Sequence, residues 1–332
     1  MTVVSEAKSP APVGGPSPRQ FPLNQFGIAF GLSGLAGTWT AASTALGLDR
    51  AAANLLWIVA ALTWVISIVH YLIAARTFRR VIDDMAHPVL GPFAALVPTT
   101  GMLLGASLDH SAPTAARTVV VVMFVGATLV AALFVTGLLT HTRDIDRLHA
   151  GYLLPTVAAG LIGAQSLATV GLHRAAVGSF AVGILMWLLI GAAILARLAF
   201  RPALPDALVP TLAILSAPPA VAGNAWFAIN GGRVDLFQEA LFGTFVLLLL
   251  VQFALVRTYA RLPFTLGFWA LTFTTAASAT YGIHWLAETD VPAAGGWEAV
   301  VLGAATLLIG WVAARSIIFV RGNRRAARPS HA

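Results

Sequence analysis

Residues 208–230 read LVPTLAILSAPPAVAGNAWFAIN, a stretch without a charged side chain that contains Pro210, Pro218 and Pro219. Its length fits the roughly 20 residues that a helix needs to cross the hydrocarbon core of a membrane. Proline removes a helical hydrogen bond and kinks the helix, and lipid offers no partner to the carbonyl that is freed. The stretch therefore predicts a membrane-spanning helix that faces protein or water on one side.

Nine further apolar segments accompany this one, which is the seventh in chain order. They cover 26–47, 51–75, 89–108, 114–139, 152–172, 175–196, 236–256, 264–286 and 298–320. The prolines inside the ten segments all fall in odd-numbered ones: Pro92 and Pro98 in the third, Pro155 in the fifth and three in the seventh. Odd segments begin 56 to 63 residues apart, and a short loop joins each to the next. This spacing predicts ten transmembrane helices arranged as five helical hairpins.

The composition agrees with a polytopic all-α membrane protein. Of the 332 residues 58% are hydrophobic and 10% are charged, against about 25% charged residues in a soluble domain. We expect a disordered tail over 1–20, a transmembrane domain over 21–320, and an unfolded basic tail over 321–332. The first 20 residues contain four prolines and lack the apolar core of a signal peptide.

The positive charge follows the predicted topology. Sixteen of the 20 Lys and Arg residues lie in the two tails, near the end of segment ten, or in loops that follow even segments. This is the positive-inside distribution, which predicts a cell-membrane protein with both termini in the cytoplasm. The basic residues are thereby accounted for without a nucleic-acid partner.

Odd and even segments also differ in polarity. The odd segments contain 22 Ser, Thr, Asn and Gln residues and no charged side chain, whereas the even segments contain 13. The even segments carry Arg117, Glu239, Glu298 and Arg315, each near an end, where a long side chain can reach the interface. Hydroxyl groups commonly join packed helices, which explains part of the difference. We expect the odd helices to form an inner ring around an uncharged central pore.

The residues give little support to an enzyme. The sequence has no cysteine, no histidine pair on one helical face, no pair of intramembrane carboxylates and no glycine-rich phosphate loop. We therefore expect no catalytic residue, metal or cofactor. One alternative remains open, a membrane anchor subunit that binds haem through His70 or His284, the two histidines that touch hydrophobic segments.

Five stretches of the odd segments together resemble the tellurite-resistance/dicarboxylate transporter family. They are FPLNQFGIAFGLSGLAGTW (21–39), HPVLGPFAALVPTTGMLLG (87–105), GYLLPTVAAGLIGAQSLATVG (151–171), ILSAPPAVAGNAWFAINGGRVD (214–235) and GFWALTFTTAASAT (267–280). The family includes TehA-like bacterial proteins, fungal malate and sulfite transporters and plant slow anion channels. The resemblance implies ten helices around a pore, one pore per protomer of a homotrimer, and small inorganic or organic anions as substrates.

The resemblance also implies a gate, because a phenylalanine of the ninth helix blocks the pore in this family. The matching residue here is Phe273. Its helical face also carries Ala276, Ala277 and Thr280, so a bulky ring stands beside small residues and could instead pack in an ordinary core. Ala29 and Thr274 depart from the family pattern, which has proline and glycine there. Further candidates to line or kink the pore are Pro98, Pro155, Pro218, Thr272 and Thr280.

Two mechanisms follow for such a protein. Coupling to protons generally needs intramembrane Asp, Glu or His, and the odd segments have no carboxylate, which favours passive flux of small anions. The alternative is a proton-coupled exporter of C4-dicarboxylates such as malate, or of sulfite or tellurite, with the same architecture.

Overall fold

The computed structural model describes residues 21–326, and side chains up to residue 323; within these limits the chain is helical and contains no strand. The tail predicted over 1–20 lies outside the described residues, as do residues 327–332. The α-helices are α1 (Gly27–Leu46), α2 (Ala51–Ala75), α3 (Phe78–Ala86), α4 (Leu96–Ala106), α5 (Pro113–Thr140), α6 (Ala159–Thr169), α7 (His173–Phe200), α8 (Ala217–Asn230), α9 (Leu236–Ala260), α10 (Trp269–Ala287) and α11 (Ala294–Ala326).

Among the described residues, seven spans are long and apolar enough to cross a membrane, or eight if the bent pair Phe78–Ala86 and Gly91–Ala106 counts as one. The chain is therefore an all-α protein with multiple candidate membrane spans, as its composition predicted.

The even segments form long, uninterrupted helices. They are α2, α5, α7, α9 and α11, which have 25 to 33 residues each. Only 11% to 28% of their most apolar windows is buried, and their exposed side chains are largely Leu, Ile, Val and Phe. A surface of this composition suits contact with lipid.

The odd segments are broken helices. Each begins with a 3₁₀ stretch before its α-helix: Leu23–Phe26, Gly91–Ala95, Ala150–Leu153, Val209–Ser216 and Leu266–Phe268. In the fifth segment a π-turn, Leu154–Ala158, contains Pro155 and joins the 3₁₀ stretch to α6. Pro98 and Pro218 lie in the first turns of α4 and α8, where a missing N–H removes no helical hydrogen bond. The two kinds of segment expected from the prolines thus differ in backbone as well.

The broken helices make up most of the core. The most extensive helix contact joins α1 to α10, and α6 packs on both α4 and α8. The apolar windows of the fifth and seventh segments are 89% and 72% buried. The long helices cover this core from outside, as α5 does on α4 and α7 on α6.

Two features differ from the sequence expectation. Helix α3 lies where we expected a cytoplasmic loop; Arg76, with a φ of 60°, ends α2, and the Thr77 hydroxyl accepts a hydrogen bond from the Arg80 N–H to begin α3. Helix α11 continues to Ala326, so residues 321–326 of the expected unfolded tail are helical.

Candidate functional site

Two cavities lie within the core and meet at Phe273. A narrow cavity of about 70 Å³ is bordered by the beginnings of the broken helices, with Phe30, Phe93, Leu154 and Pro218 in its walls. A wide cavity of about 480 Å³ is bordered by their ends, including Thr44, Gln165 and Thr280. Phe273 and Val221 are the residues of the described chain that line both cavities. The ring of Phe273 therefore stands at the boundary between two spaces, one at the beginnings and one at the ends of the broken helices.

Phe273 is stacked on a second aromatic ring. Its centroid lies 3.6 Å from that of Phe30, with 15° between the two planes. Phe30 is buried and belongs to α1, the helix that packs most extensively on α10. Phe30 lies within the first of the five family-like stretches, and the sequence alone predicted no role for it. The sequence signal that could have identified Phe30 was its position one helical turn before Gly34.

Small and hydroxyl-bearing residues bring α1 and α10 close together. A Cβ on Gly34 would lie 2.9 Å from both Ala276 Cβ and Phe273 Cδ2, so only glycine permits this approach without a shift. One turn further, the Thr38 hydroxyl lies 3.0 Å from both the Thr280 hydroxyl and the Ala276 carbonyl oxygen. The same contacts that join the two helices therefore fix the position of the Phe273 side chain.

The narrow cavity is almost wholly apolar. Of the described residues in its walls none is charged, and Asn24, Thr211 and Thr274 contribute the polar side chains besides Trp269. An ion in this space would lose water without meeting a fixed countercharge, at a large cost in free energy. The cavity favours species that are easily dehydrated.

One edge of the narrow cavity is held by a buried histidine in the connection before Ala150. His149 Nδ1 accepts a hydrogen bond from the Gly151 N–H, so Nε2 carries the proton and donates to the Val89 carbonyl at 3.0 Å. The ring also stacks on Phe93, a wall residue of the cavity. Burial lowers the pKa of His149 to about 4, which keeps the imidazole neutral near pH 7.

The wide cavity is more polar than the narrow one. The Asn224 amide donates to the Ala277 carbonyl at 3.0 Å and its oxygen lies 3.1 Å from His284 Nδ1. Ser33 and Ser166 are buried in the cavity wall, and the hydroxyl of each has no hydrogen-bond partner among the described residues. Among the described residues that line the wide cavity, Glu288 is the one with a formally charged side chain.

The structure separates the residues that we selected from the sequence. Phe273, Pro218 and Thr280 line a cavity. Pro98, Pro155 and Thr272 are buried and lie outside both sets of lining residues. Thr272 faces Gly31 of α1, because neighbouring helical residues point about 100° apart and Phe273 occupies the face toward the cavities.

The two histidines considered for haem do not come together. His70 is exposed on α2 and lies near Phe21, at the beginning of the first segment. His284 lies near the end of α10, in the wide cavity. A haem ligated by both side chains is therefore incompatible with this fold.

Comparison with known proteins places these features in a family. A family model described as voltage-dependent anion channel, SLAC1, matches residues 20–317. The chain is 30% identical over 264 residues to the tellurite resistance protein TehA homolog of Haemophilus influenzae, a match that covers 79% of this chain and 80% of that protein. It is 23% identical over 298 residues to the S-type anion channel SLAH2 of Arabidopsis thaliana; here the match covers 87% of this chain and 57% of the plant protein. The resemblance inferred from the five stretches is confirmed.

Proposed function

This chain belongs to the SLAC1 voltage-dependent anion channel family, and on that premise we propose that it carries small anions passively across the cell membrane. In this proposal the two cavities are the halves of one pore, and Phe273 is its gate. The observation that supports the gate most strongly is that the Phe273 ring borders both cavities. A hydrophobic constriction of this kind can close a pore by excluding water.

The proposed architecture has ten spans in five hairpins. Besides the seven apolar spans, α1, the third segment (Gly91–Ala106) and α10 would cross the membrane, although they carry more small and hydroxyl-bearing residues. The burial of the broken helices supports an inner ring around the pore. We further propose that residues 21–320 form the transmembrane domain of a homotrimer, with one pore per protomer.

The distribution of arginine sets the proposed orientation. Loops after even segments, together with the two tails and the end of segment ten, carry most of the basic residues, so both termini would be cytoplasmic. The narrow cavity would then face the cytoplasm and the wide cavity the opposite side. The uncharged wall of the narrow cavity would then select anions by their ease of dehydration.

The wide cavity also gives specific support to the alternative, proton-coupled export of malate, sulfite or tellurite. His284 and Glu288 are one helical turn apart and both line this cavity. Histidine and glutamate can carry protons, and the sequence did not predict such a pair beside the pore.

A flux assay in lipid vesicles separates the two proposals. Purified protein is reconstituted, and uptake of chloride, nitrate, sulfite and malate is measured with and without a pH gradient. Passive flux predicts uptake driven by the membrane potential at equal pH on both sides. Uptake that strictly requires the pH gradient would overturn the passive proposal in favour of the coupled exporter.

A further inference from the structure

Helix α3 presents an apolar stripe that no described residue covers. Phe78 is 80% exposed and Ile82 is 45% exposed, and the two side chains are one helical turn apart. Ala86 continues the stripe by another turn and is also exposed. The side of the helix next to the stripe faces the protein, where Val81 and Met85 are partly buried and pack against the main hydrophobic core.

The stripe continues the apolar surface of α2. Leu72 and Ile73, in the last turn of α2, are 57% and 67% exposed. The chain bends by 117° between α3 and the segment Gly91–Ala106, so α3 runs obliquely across the end of the bundle. The stripe thus lies beside the end of the apolar surface of α2, and the far side of α3 is polar. This pattern is typical of a helix that lies in a membrane surface.

Basic side chains flank the stripe on the same surface. Arg76 and Arg79 are exposed, and among the described residues neither has a carboxylate within ion-pair distance. Arg80, by contrast, is paired with Asp84 at 3.2 Å on the side that faces the protein. Arginines beside a membrane-embedded stripe complement the phosphate groups of anionic lipids.

We propose that α3 lies in the surface of the cytoplasmic leaflet, with Phe78 and Ile82 among the acyl chains and with Arg76 and Arg79 bound to anionic phospholipid. This proposal depends on the proposed function in one respect, the assignment of α3 to the cytoplasmic side of the membrane. A bound lipid would also stabilise the wall of the narrow cavity, because α3 ends in contact with residues of that wall. A Cβ on Gly91 would overlap the Met85 carbonyl oxygen, and Leu90 and Phe93 line the cavity on either side of this contact.

The depth of the stripe can be measured directly. The chain has no cysteine, so single spin labels can be attached to the variants Phe78→Cys, Ile82→Cys and Asp83→Cys without further changes. Asp83 is the matched control, since it is exposed on the polar side of the same helix. In phosphatidylcholine–phosphatidylglycerol vesicles, the labels at 78 and 82 should collide with oxygen and be shielded from a water-soluble nickel complex, and the label at 83 should show the reverse.

Equal exposure of all three labels to the nickel complex would overturn the proposal. Shielding of 78 and 82 from both reagents would overturn it too, because a neighbouring protomer would then cover the stripe. Neither readout involves transport, so failure here is distinguishable from failure of the anion pore.

Lipid charge is tested in a second arm. The preference of the reconstituted protein for spin-labelled phosphatidylglycerol over phosphatidylcholine should fall about fivefold at this site in Arg79→Gln, as expected for one phosphate contact. Arg174→Gln is the control, an exposed arginine at the opposite end of the bundle. An equal fall in both variants, or none in Arg79→Gln, would contradict the assignment of the arginine to lipid phosphate.

Discussion

Replacement of Phe30 by leucine is expected to raise anion flux while leaving Phe273 in place. The two rings stack with centroids 3.6 Å apart. An aromatic pair contributes about 0.5–1.5 kcal/mol beyond the burial of its surface. In the proposed gating mechanism the Phe273 ring leaves this stack on opening. Loss of the pair would then raise the population of the displaced ring by about 2- to 13-fold at 298 K. Leucine remains apolar, so the wall of the narrow cavity keeps its hydrophobic character and the change acts on the position of the Phe273 ring.

The assay is chloride and nitrate efflux from vesicles that contain equal amounts of folded protein. Phe242→Leu is the matched control, because Phe242 stacks on Trp285 at 4.0 Å and lies outside the lining of both cavities. Flux should rise in Phe30→Leu and stay unchanged in Phe242→Leu. In the Phe273→Ala background, Phe30→Leu should add little, since the two residues act on one barrier. An equal rise in both leucine variants, or full additivity with Phe273→Ala, would refute the reasoning.

Two predictions concern stability in detergent. The folded protein keeps His149 neutral down to about pH 4, whereas the unfolded chain takes up a proton near pH 6.5; the free energy of unfolding should therefore fall by about 3 kcal/mol between these pH values. Thermal unfolding should show this loss in the wild type and not in His149→Gln, and an identical pH dependence in both would contradict it. Gly223→Ala should lower the free energy of unfolding by about 1–3 kcal/mol, because its Cβ would overlap the buried ring of Tyr281. The control Gly282→Ala, where a Cβ meets nothing within 4 Å, should unfold at or above the wild-type temperature.

The sequence predicted the segments and their two classes because both depend on composition. Apolar length and proline position can be read residue by residue: the second segment, 51–75, matches α2 at both ends, and the seventh, 208–230, differs by one residue from Val209–Asn230. Helix α3 was not predicted, because it has only nine residues, four of them charged, and its composition is that of a solvated loop. Its amphipathic pattern was visible, but a short helix becomes stable only through packing that sequence does not reveal.

The site could be predicted only in part, because helix rotation decides which side chains reach a cavity. Thr272 and Phe273 are neighbours in sequence, yet one faces α1 and the other faces the cavities. Thr280 could be placed with Phe273, because residues seven apart share a helical face. Phe30 and Asn224 could not be selected from the sequence, because their roles depend on contacts with residues of α10 that are more than 50 positions away in the chain.

Anion flux through the Phe273→Ala variant tests most directly whether Phe273 is the gate. Alanine removes the ring that borders both cavities, so the narrow and wide spaces should join into one continuous path. Conductance in planar bilayers, measured at equal protein density, should rise well above that of the wild type, with the oligomeric state unchanged in detergent. Wild-type conductance in a correctly assembled Phe273→Ala protein would contradict the assignment of Phe273 as the gate.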